Sequence, residues 1–137
     1  MSPRLVVERT YGAARREGYK QLRAYNNKAV GKLDYKALAI TLRDKGKIVG
    51  LLTGYTAWKW LFVDTLWVAD KERGKGMGKT LLERAEREAK KRGARNVYLY
   101  SFSFQAPGFY RKLGYREFGR LEGFPKGHSR HWLTKAL

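Results

Sequence analysis

The sequence predicts one domain of mixed α/β fold, in which helices flank a single mixed sheet. Its 137 residues suffice for one hydrophobic core and are too few for a second lobe. Runs rich in β-branched and aromatic residues alternate with segments of helical periodicity, and no repeat or low-complexity linker interrupts them. The predicted order is four strands, a helix, a strand, a helix and two closing strands, with additional helical structure after the first strand.

Two elements are predicted before residue 36. Residues 5–10 are a candidate opening strand, and residues 13–30 have the pattern of one or two short helices. The side chains expected to face inward from these helices are Leu22, Ala24, Tyr25 and Ala29.

The later elements are separated by turn residues. Residues 37–42 and 47–55 are predicted strands, and residues 44–46 between them read Asp-Lys-Gly, a hairpin turn. Residues 58–68 contain no breaker and predict a strand buried on both faces. Apolar residues at helical spacing predict a helix over 77–92, which Gly93 ends. The remaining predicted elements are a strand at 96–104, a helix at 106–113, and strands near 115–121 and 130–136.

A glycine-rich loop, Arg73-Gly-Lys-Gly-Met-Gly78, connects the 58–68 strand to the 77–92 helix. Glycines let the backbone approach a ligand, and the first amides of a helix lack intrahelical partners, so the expected ligand is an anion such as a pyrophosphate. The spacing fits neither a Walker loop, which needs glycine at position 73, nor a dinucleotide fingerprint, which needs it at 79. A turn that caps the helix and binds nothing is the alternative.

Two motifs give the chain its resemblance to a known family. Arg-x-x-Gly-x-Gly, formed by Arg73, Gly76 and Gly78, resembles the acetyl-CoA loop of the GNAT superfamily of N-acetyltransferases. Residues 105–115, Gln-Ala-Pro-Gly-Phe-Tyr-Arg-Lys-Leu-Gly-Tyr, resemble its second signature, and residues 127–135 resemble the last strand of small bacterial and archaeal members. The resemblance covers residues 48–137 and implies a mostly antiparallel sheet of six to seven strands.

The resemblance also implies acetyl-CoA as the cosubstrate. The loop amides would hold its pyrophosphate, and the preceding strand would pair with the pantetheine arm as though it were an added strand. Gln105 stands where family members commonly have Asn. The cofactor-binding residues expected on this basis are Leu66, Trp67, Val68, Arg73, Gly74, Lys75, Gly76, Met77, Gly78, Lys79 and Gln105.

Two residues are candidates for the chemistry. Strand alternation puts Asp64 on one face with Phe62, Leu66 and Val68, where desolvation would raise its pKa and suit it to act as a base. Trp67 would then lie on the opposite face, as a core residue. Tyr110 resembles the family's general-acid tyrosine, which protonates the departing thiolate. The alternatives are a hydrogen-bonding role for Asp64 and a core position for Tyr110.

The acceptor site follows from the resemblance alone. It implies a pocket between the first helices and the loop that joins the last two strands, near Tyr25, Asn26, Trp58, Phe124 and His128. Aromatic residues with one imidazole suit a small, partly apolar amine, although the same residues could serve as packing. Basic residues on the 13–30 segment, Arg15, Arg16, Lys20 and Arg23, could recognise a carboxylate-bearing acceptor.

Composition limits the remaining possibilities. The chain has no cysteine, so a thiolate nucleophile is excluded and an acetyl group would pass directly from thioester to acceptor. His128 and His131 have no further ligand cluster nearby, so no metal site is expected. No run of eighteen apolar residues and no signal-peptide core are present, which predicts a cytoplasmic protein without membrane association.

The net charge of +18, from 30 basic and 12 acidic residues, favours anionic partners. The favoured function is acetyl transfer to the amine of a small molecule. The alternatives are acetylation of protein amines and a basic nucleic-acid-binding protein on the same scaffold. In the nucleic-acid case Phe102 and Phe104 would be stacking platforms, but alternation with Tyr98 and Tyr100 favours a core face. A homodimer is compatible with the sequence.

Overall fold

The structure, a computed structural model, describes residues 2–137. It divides the chain into two compact units, one that ends at Leu33 and one that spans Asp34–Leu137. The prediction of a single domain over residues 1–137 therefore stays a prediction, and the two units are described separately.

The first unit contains one helix, α1, Gly12–Val30. The predicted strand at residues 5–10 is wrong, because this segment has no strand geometry and its side chains at Leu5 and Val7 are exposed. The predicted inward face is also wrong, since Leu22 and Tyr25 are exposed and α1 has no buried residue. Mostly charged and small side chains surround these two positions, so the helix has no broad apolar stripe to bury.

The second unit is built on a six-stranded sheet with the order β1-β2-β3-β4-β6-β5. All neighbouring strands are antiparallel except β3 and β4, which are parallel. The predicted strands and helices between residues 36 and 137 are confirmed, each with bounds within two residues of those expected. The strands are β1 Lys36–Asp44, β2 Lys47–Ala57, β3 Trp60–Val68, β4 Asn96–Phe102, β5 Arg116–Glu122 and β6 Ser129–Ala136; the helices are α2 Met77–Lys91 and α3 Pro107–Lys112.

The core lies between α2 and one face of the sheet. The buried face of α2 consists of Leu81, Leu82, Ala85 and Ala89. From β4 the buried residues are Val97, Leu99 and Ser101, so Tyr98, Tyr100 and Phe102 face the other way and are half-buried. The predicted core face of aromatic residues on this strand is therefore wrong. Both faces of β4 are apolar, and periodicity alone cannot choose between them.

The hairpin turns show how the strands are connected. Lys45 and Gly46 have positive φ angles of 50° and 80°, which confirms the predicted turn between β1 and β2. A second two-residue turn, at Trp58 and Lys59, connects β2 to β3. No helix within residues 2–137 combines the length and the hydropathy needed to cross a membrane.

Candidate active site

The candidate site is a cleft where two neighbouring strands separate. Residues Trp60–Phe62 of β3 pair with Asn96–Tyr98 of β4, and beyond Phe62 this pairing ends. A cleft of about 730 Å³ opens between the separated strands, with walls from residues 63–68, 99–102 and 104–106 together with Arg73 and Tyr110. A volume of this size is typical of cofactor and small-molecule sites. The predicted site residues that line it are Asp64, Leu66, Trp67, Val68, Arg73, Gln105 and Tyr110.

One wall of the cleft is an unpaired strand edge. From Val63 to Val68, β3 pairs with β2 on one side, whereas its other edge has lost β4 as a partner. Backbone N–H and C=O groups along such an edge can pair with an extended ligand that carries amide groups. The edge ends at the glycine loop, where Arg73 Nε donates a hydrogen bond to the Val68 carbonyl oxygen at 3.1 Å.

The glycine loop leads directly into α2. Gly74 and Gly76 have φ angles of 76° and 77°, in the left-handed region that glycine occupies without strain, and no atom beyond their chain neighbours lies within 4 Å of where a Cβ would be. Gly76 is the N-cap residue, and its carbonyl oxygen accepts hydrogen bonds from the Thr80 N–H and hydroxyl, both at 3.0 Å. The first amides of α2 thus remain available to an anion.

The loop cations lie at the surface beside carboxylates. Arg73 pairs with Asp70 at 3.0 Å, and Lys75 pairs with Glu72 at 3.3 Å. Lys79 is 3.8 Å from Glu83. Exposed pairs of this kind contribute little to stability, so these cations can exchange their partner for a phosphate at small cost.

Tyr110 lies on α3 and contributes its side chain to the cleft. Burial raises the pKa of its phenol to about 12, so the hydroxyl keeps its proton at neutral pH. The ring of the preceding residue, Phe109, meets Gly78, where a Cβ would come within 3.4 Å of it. Gly78 thereby lets α3 pack against the first turn of α2, which brings Tyr110 close to the loop.

Asp64 lies in the cleft, but the burial expected for it is wrong. Thr53 of β2 faces Thr65 and the next residue, Gly54, faces Val63, so Asp64 is an extra residue in a β-bulge. The bulge breaks the alternation of β3: Leu66 and Val68 pack against the core, whereas Asp64 is exposed. The same shift leaves Trp67 43% exposed and lining the cleft, so the prediction of a core position for Trp67 is also wrong.

Gln105 and two of the predicted acceptor residues are found at the end of β4. Gln105 Oε1 accepts a hydrogen bond from the Phe102 N–H at 2.8 Å, which leaves its amide NH₂ group as a donor at the cleft. Phe124 stacks on Phe102 with ring centroids 5.7 Å apart, and His128 meets Phe104 edge-on at 5.1 Å. Phe102 and Phe104 both line the cleft, so Phe124 and His128 pack directly behind its wall.

Within the second unit, the structure does not bring Trp58, another predicted acceptor residue, to this cleft. Trp58 lies in the turn before β3, at the opposite end of that strand from the cleft. Its backbone N–H donates a hydrogen bond to Asp34 Oδ1 at 2.8 Å. Tyr25 and Asn26 belong to α1, in the first unit. A role for these three residues stays a prediction.

Two polar networks were not foreseen from the sequence. Tyr115 donates to Glu86 Oε2 at 2.6 Å, and Lys135 Nζ donates to Oε1 of the same carboxylate at 3.1 Å. The other network joins Glu117 to the buried His131, whose hydrogen bond lowers the pKa of the Glu117 carboxyl. These partners are 14 to 49 residues apart in the chain, so no local pattern reveals them.

Comparison with known proteins is consistent with this geometry. The sequence profile of the acetyltransferase (GNAT) family matches residues 6–115. Blasticidin-S acetyltransferase of Streptomyces morookaense is 40% identical over 95 residues, which cover 69% of this chain and 70% of that protein. Acetyltransferase Atu2258 of Agrobacterium fabrum (strain C58 / ATCC 33970) is 38% identical over 113 residues, 82% of each chain.

A solved structure extends the similarity to nearly the whole fold. The crystal structure of an acetyltransferase from Bacillus cereus ATCC 14579 superposes with a TM-score of 0.88 at 36% identity, over 97% of this chain and 98% of that one. The chain therefore belongs to the GNAT family of acetyltransferases, an enzyme family whose cosubstrate is acetyl-CoA.

Proposed function

We propose that this enzyme transfers the acetyl group of acetyl-CoA directly to the amine of a small molecule, without a covalent enzyme intermediate. The observation that carries the proposal is the cleft itself, in which an unpaired strand edge, a glycine loop and a protonated tyrosine come together. The absence of cysteine from the sequence supports the direct route.

In this proposal the cofactor lies along the edge of β3. The backbone of Leu66, Trp67 and Val68 pairs with the amides of the pantetheine arm, and Gln105 donates to it from the opposite wall. The pyrophosphate lies on the amides of residues 73–79 at the N-terminus of α2. Arg73, Lys75 and Lys79 exchange their exposed carboxylate partners for its oxygens.

Tyr110 and Asp64 share the proton transfers. The amine must attack as the neutral base, and Asp64, exposed in the cleft, accepts its proton directly or through a water molecule. Tyr110 donates its phenolic proton to the sulfur as negative charge develops on it, and the pKa of about 12 ensures that the phenol still carries this proton at neutral pH.

The acceptor is a small amine that binds against Phe102 and Phe104, which Phe124 and His128 support from behind. The relative named blasticidin-S acetyltransferase supports an antibiotic of this kind as a candidate acceptor. A flat or heterocyclic molecule suits the walls, because Phe102 and Phe104 stack with centroids 5.2 Å apart and present aromatic surface.

The first test is a calorimetric titration with acetyl-CoA at about 0.3 M salt, with ATP as a control for unspecific attraction of anions to the basic surface. We expect saturable acetyl-CoA binding and much weaker ATP binding. Equal, salt-sensitive affinities for both ligands would refute the proposal and favour the nucleic-acid alternative.

The second test is an acetyl-transfer assay with blasticidin S and a panel of small amines. Transfer is monitored by the release of the CoA thiol and by the mass of the product. We expect Tyr110→Phe to lower kcat by about 100-fold with unchanged acetyl-CoA affinity. Tyr98→Phe is the matched control, because its pKa is also raised to about 12 while its hydroxyl pairs with Tyr55 outside the cleft. Turnover of basic peptides in preference to every small amine would favour the protein-amine alternative.

A further inference from the structure

Arg130 of β6 is enclosed by aromatic rings. Its guanidinium carbon lies 3.7 Å from the ring centroid of Tyr100, and 5.0 to 5.3 Å from those of Phe124, Phe102 and Trp132. These distances are within the range of cation–π attraction, which strengthens when the cation is desolvated. The four rings hold the guanidinium in one place, in a group that we call the Arg130 cage.

The cage leaves one donor group of Arg130, the Nε–H, without an acceptor. Its Nε is buried and has no hydrogen-bond partner, and Arg130 forms no ion pair with any residue from 2 to 137. Aromatic stacking covers the faces of a guanidinium but does not satisfy the N–H groups in its plane. A buried donor left unpaired is unfavourable, and an incoming acceptor would remove this penalty.

Three other arginines of the same unit find acceptors within the chain. Arg111 and Arg120 share the carboxylate of Glu117, and Arg92 donates to the backbone carbonyls of residues 36 and 37. Arg130 is half-buried, like the rings of Tyr100, Phe102 and Trp132, but it has no such partner in the described residues. It therefore differs from these residues in being preorganised for a group that the chain does not supply.

The cage adjoins the cleft. Arg130 is opposite Phe102 in the β4–β6 ladder, and both Tyr100 and Phe102 line the cleft. Two of the four rings of the cage are thus part of the wall of the cleft in which the acceptor amine must react. A small acceptor with its amine in the cleft can extend a second group to Arg130.

We propose that Arg130 binds a carboxylate of the acceptor, so that the substrates of this enzyme are amines that carry a carboxylate and an apolar or aromatic body. This inference rests on the proposed function for the identity of the reacting amine. The guanidinium fork matches the two oxygens of a carboxylate, and the rings exclude water from the pair and contact the apolar body. Arg130 is a specificity residue in this scheme, which takes no part in the proton transfers.

A binding test measures recognition of the carboxylate separately from acetyl transfer. Phenylacetate and phenylacetamide have the same body and lack an amine, so neither is acetylated. At about 0.3 M salt we expect calorimetry to show phenylacetate binding at least about tenfold tighter than phenylacetamide. Arg130→Met should abolish the difference, whereas Arg43→Met, which removes an identical charge from the edge strand β1, should preserve it. Equal binding of the two probes by the unchanged protein overturns the inference, as does a difference that survives Arg130→Met.

A turnover test links the cage to catalysis. 4-(Aminomethyl)benzoate and 4-(aminomethyl)benzamide are amines of similar basicity, but the first carries a carboxylate and the second a neutral amide. We expect the benzoate to have a kcat/KM at least about tenfold higher because of a lower KM. Arg130→Lys should reduce this preference, because a single ammonium replaces the guanidinium fork.

The two tests distinguish the possible failures. Equal turnover of both amines would overturn the inference and leave the proposed function intact. If neither amine is acetylated although phenylacetate is selected over phenylacetamide, the carboxylate site stands and the proposed transfer to small amines is refuted for these acceptors.

Discussion

Gly54 is the residue whose replacement tests most directly how the cleft is built. It lies on β2, beside the bulge that Asp64 makes in β3, and it faces Val63. A Cβ added to Gly54 would lie 2.0 Å from the carbonyl oxygen of Phe62. The clashing atom belongs to the backbone, so no side-chain rotation relieves the contact and the two strands must move apart.

The expected loss of stability follows from the overlap between the added Cβ and the Phe62 carbonyl oxygen. Carbon and carbonyl oxygen approach to about 3.3 Å even in weak hydrogen bonds, so the Phe62 oxygen would have to move by more than about 1 Å. Overpacking of this kind costs about 1–3 kcal/mol, and the rupture of ladder hydrogen bonds at the bulge puts Gly54→Ala at the upper end, about 3 kcal/mol. For a chain of this length, this corresponds to a fall in Tm of roughly 10 °C.

Urea denaturation and thermal unfolding of Gly54→Ala measure this cost. Gly119→Ala is the matched control, because Gly119 also lies beside a strand irregularity but its Cβ would meet nothing closer than 3.9 Å. We expect the control to stay within about 0.5 kcal/mol of the unchanged protein. If Gly54→Ala were equally harmless, the reasoning that a bare backbone is required at this bulge would be wrong.

Three further predictions concern the loop, the acid and the core. Gly76→Ala forces a side chain into the left-handed region at φ 77°, so it should cost about 1 kcal/mol in urea denaturation and weaken acetyl-CoA binding measured by calorimetry. Because the pKa of Tyr110 is about 12, the protonated phenol persists on the alkaline side, and kcat at saturating substrate should show no fall attributable to Tyr110 up to about pH 10. Tyr115→Phe should destabilise the fold by about 1.5 kcal/mol, since Glu86 loses one donor but keeps Lys135. Burial and the hydrogen bond to Glu86 raise the pKa of Tyr115. The contribution of Tyr115 to the free energy of unfolding is therefore present below the unfolded pKa near 10 and is lost as the pH rises above it. Above about pH 10, Tyr115→Phe should lose less stability than the unchanged protein.

The sequence contains enough local information to predict most of the second unit. The helix α2 has its apolar residues on one stripe, and the glycine loop before it has a recognisable spacing, so both are local signals. The sequence of the first unit contains less local information about its structure. The apolar residues near Leu5 and Tyr25 resemble those of buried elements, but burial depends on a partner surface that short-range patterns do not specify.

The errors within the cleft have one physical origin. Alternation along a strand assumes an uninterrupted ladder, and a single extra residue reverses the faces of everything after it. Asp64 is that residue, which is why it is exposed rather than buried and why Trp67 faces the cleft. A glycine within a strand often indicates a nearby bulge, and Gly54 of β2 is such a residue. Only the pairing of Gly54 with Val63, which the structure shows, connects this glycine to the bulge in β3.

The bulge and the separation of the strands are parts of one device. A β-bulge bends its strand and increases the local twist, and here it comes two residues after Phe62, where the pairing of β3 with β4 ends. The bend turns β3 away from β4, and β4 stays in register with β6 as far as Arg130. One inserted residue therefore explains the unpaired strand edge of β3, the exposed carboxylate of Asp64 and the opening of the cleft.

The basic residues show the opposite limit of sequence analysis. Thirty lysines and arginines make the chain strongly cationic, yet most of the charge gives no information about the site, because residues such as Arg84 and Lys91 pair with a neighbouring carboxylate on an exposed helix face. What distinguishes Arg130 is the set of groups that surround it, and the nearest ring belongs to a strand about thirty residues earlier in the chain. A count of charges predicts attraction to anions in general. The selection of one anion requires a cation that is fixed in place and left unpaired, and Arg130, with its buried Nε and no ion pair in residues 2–137, is the candidate beside the cleft.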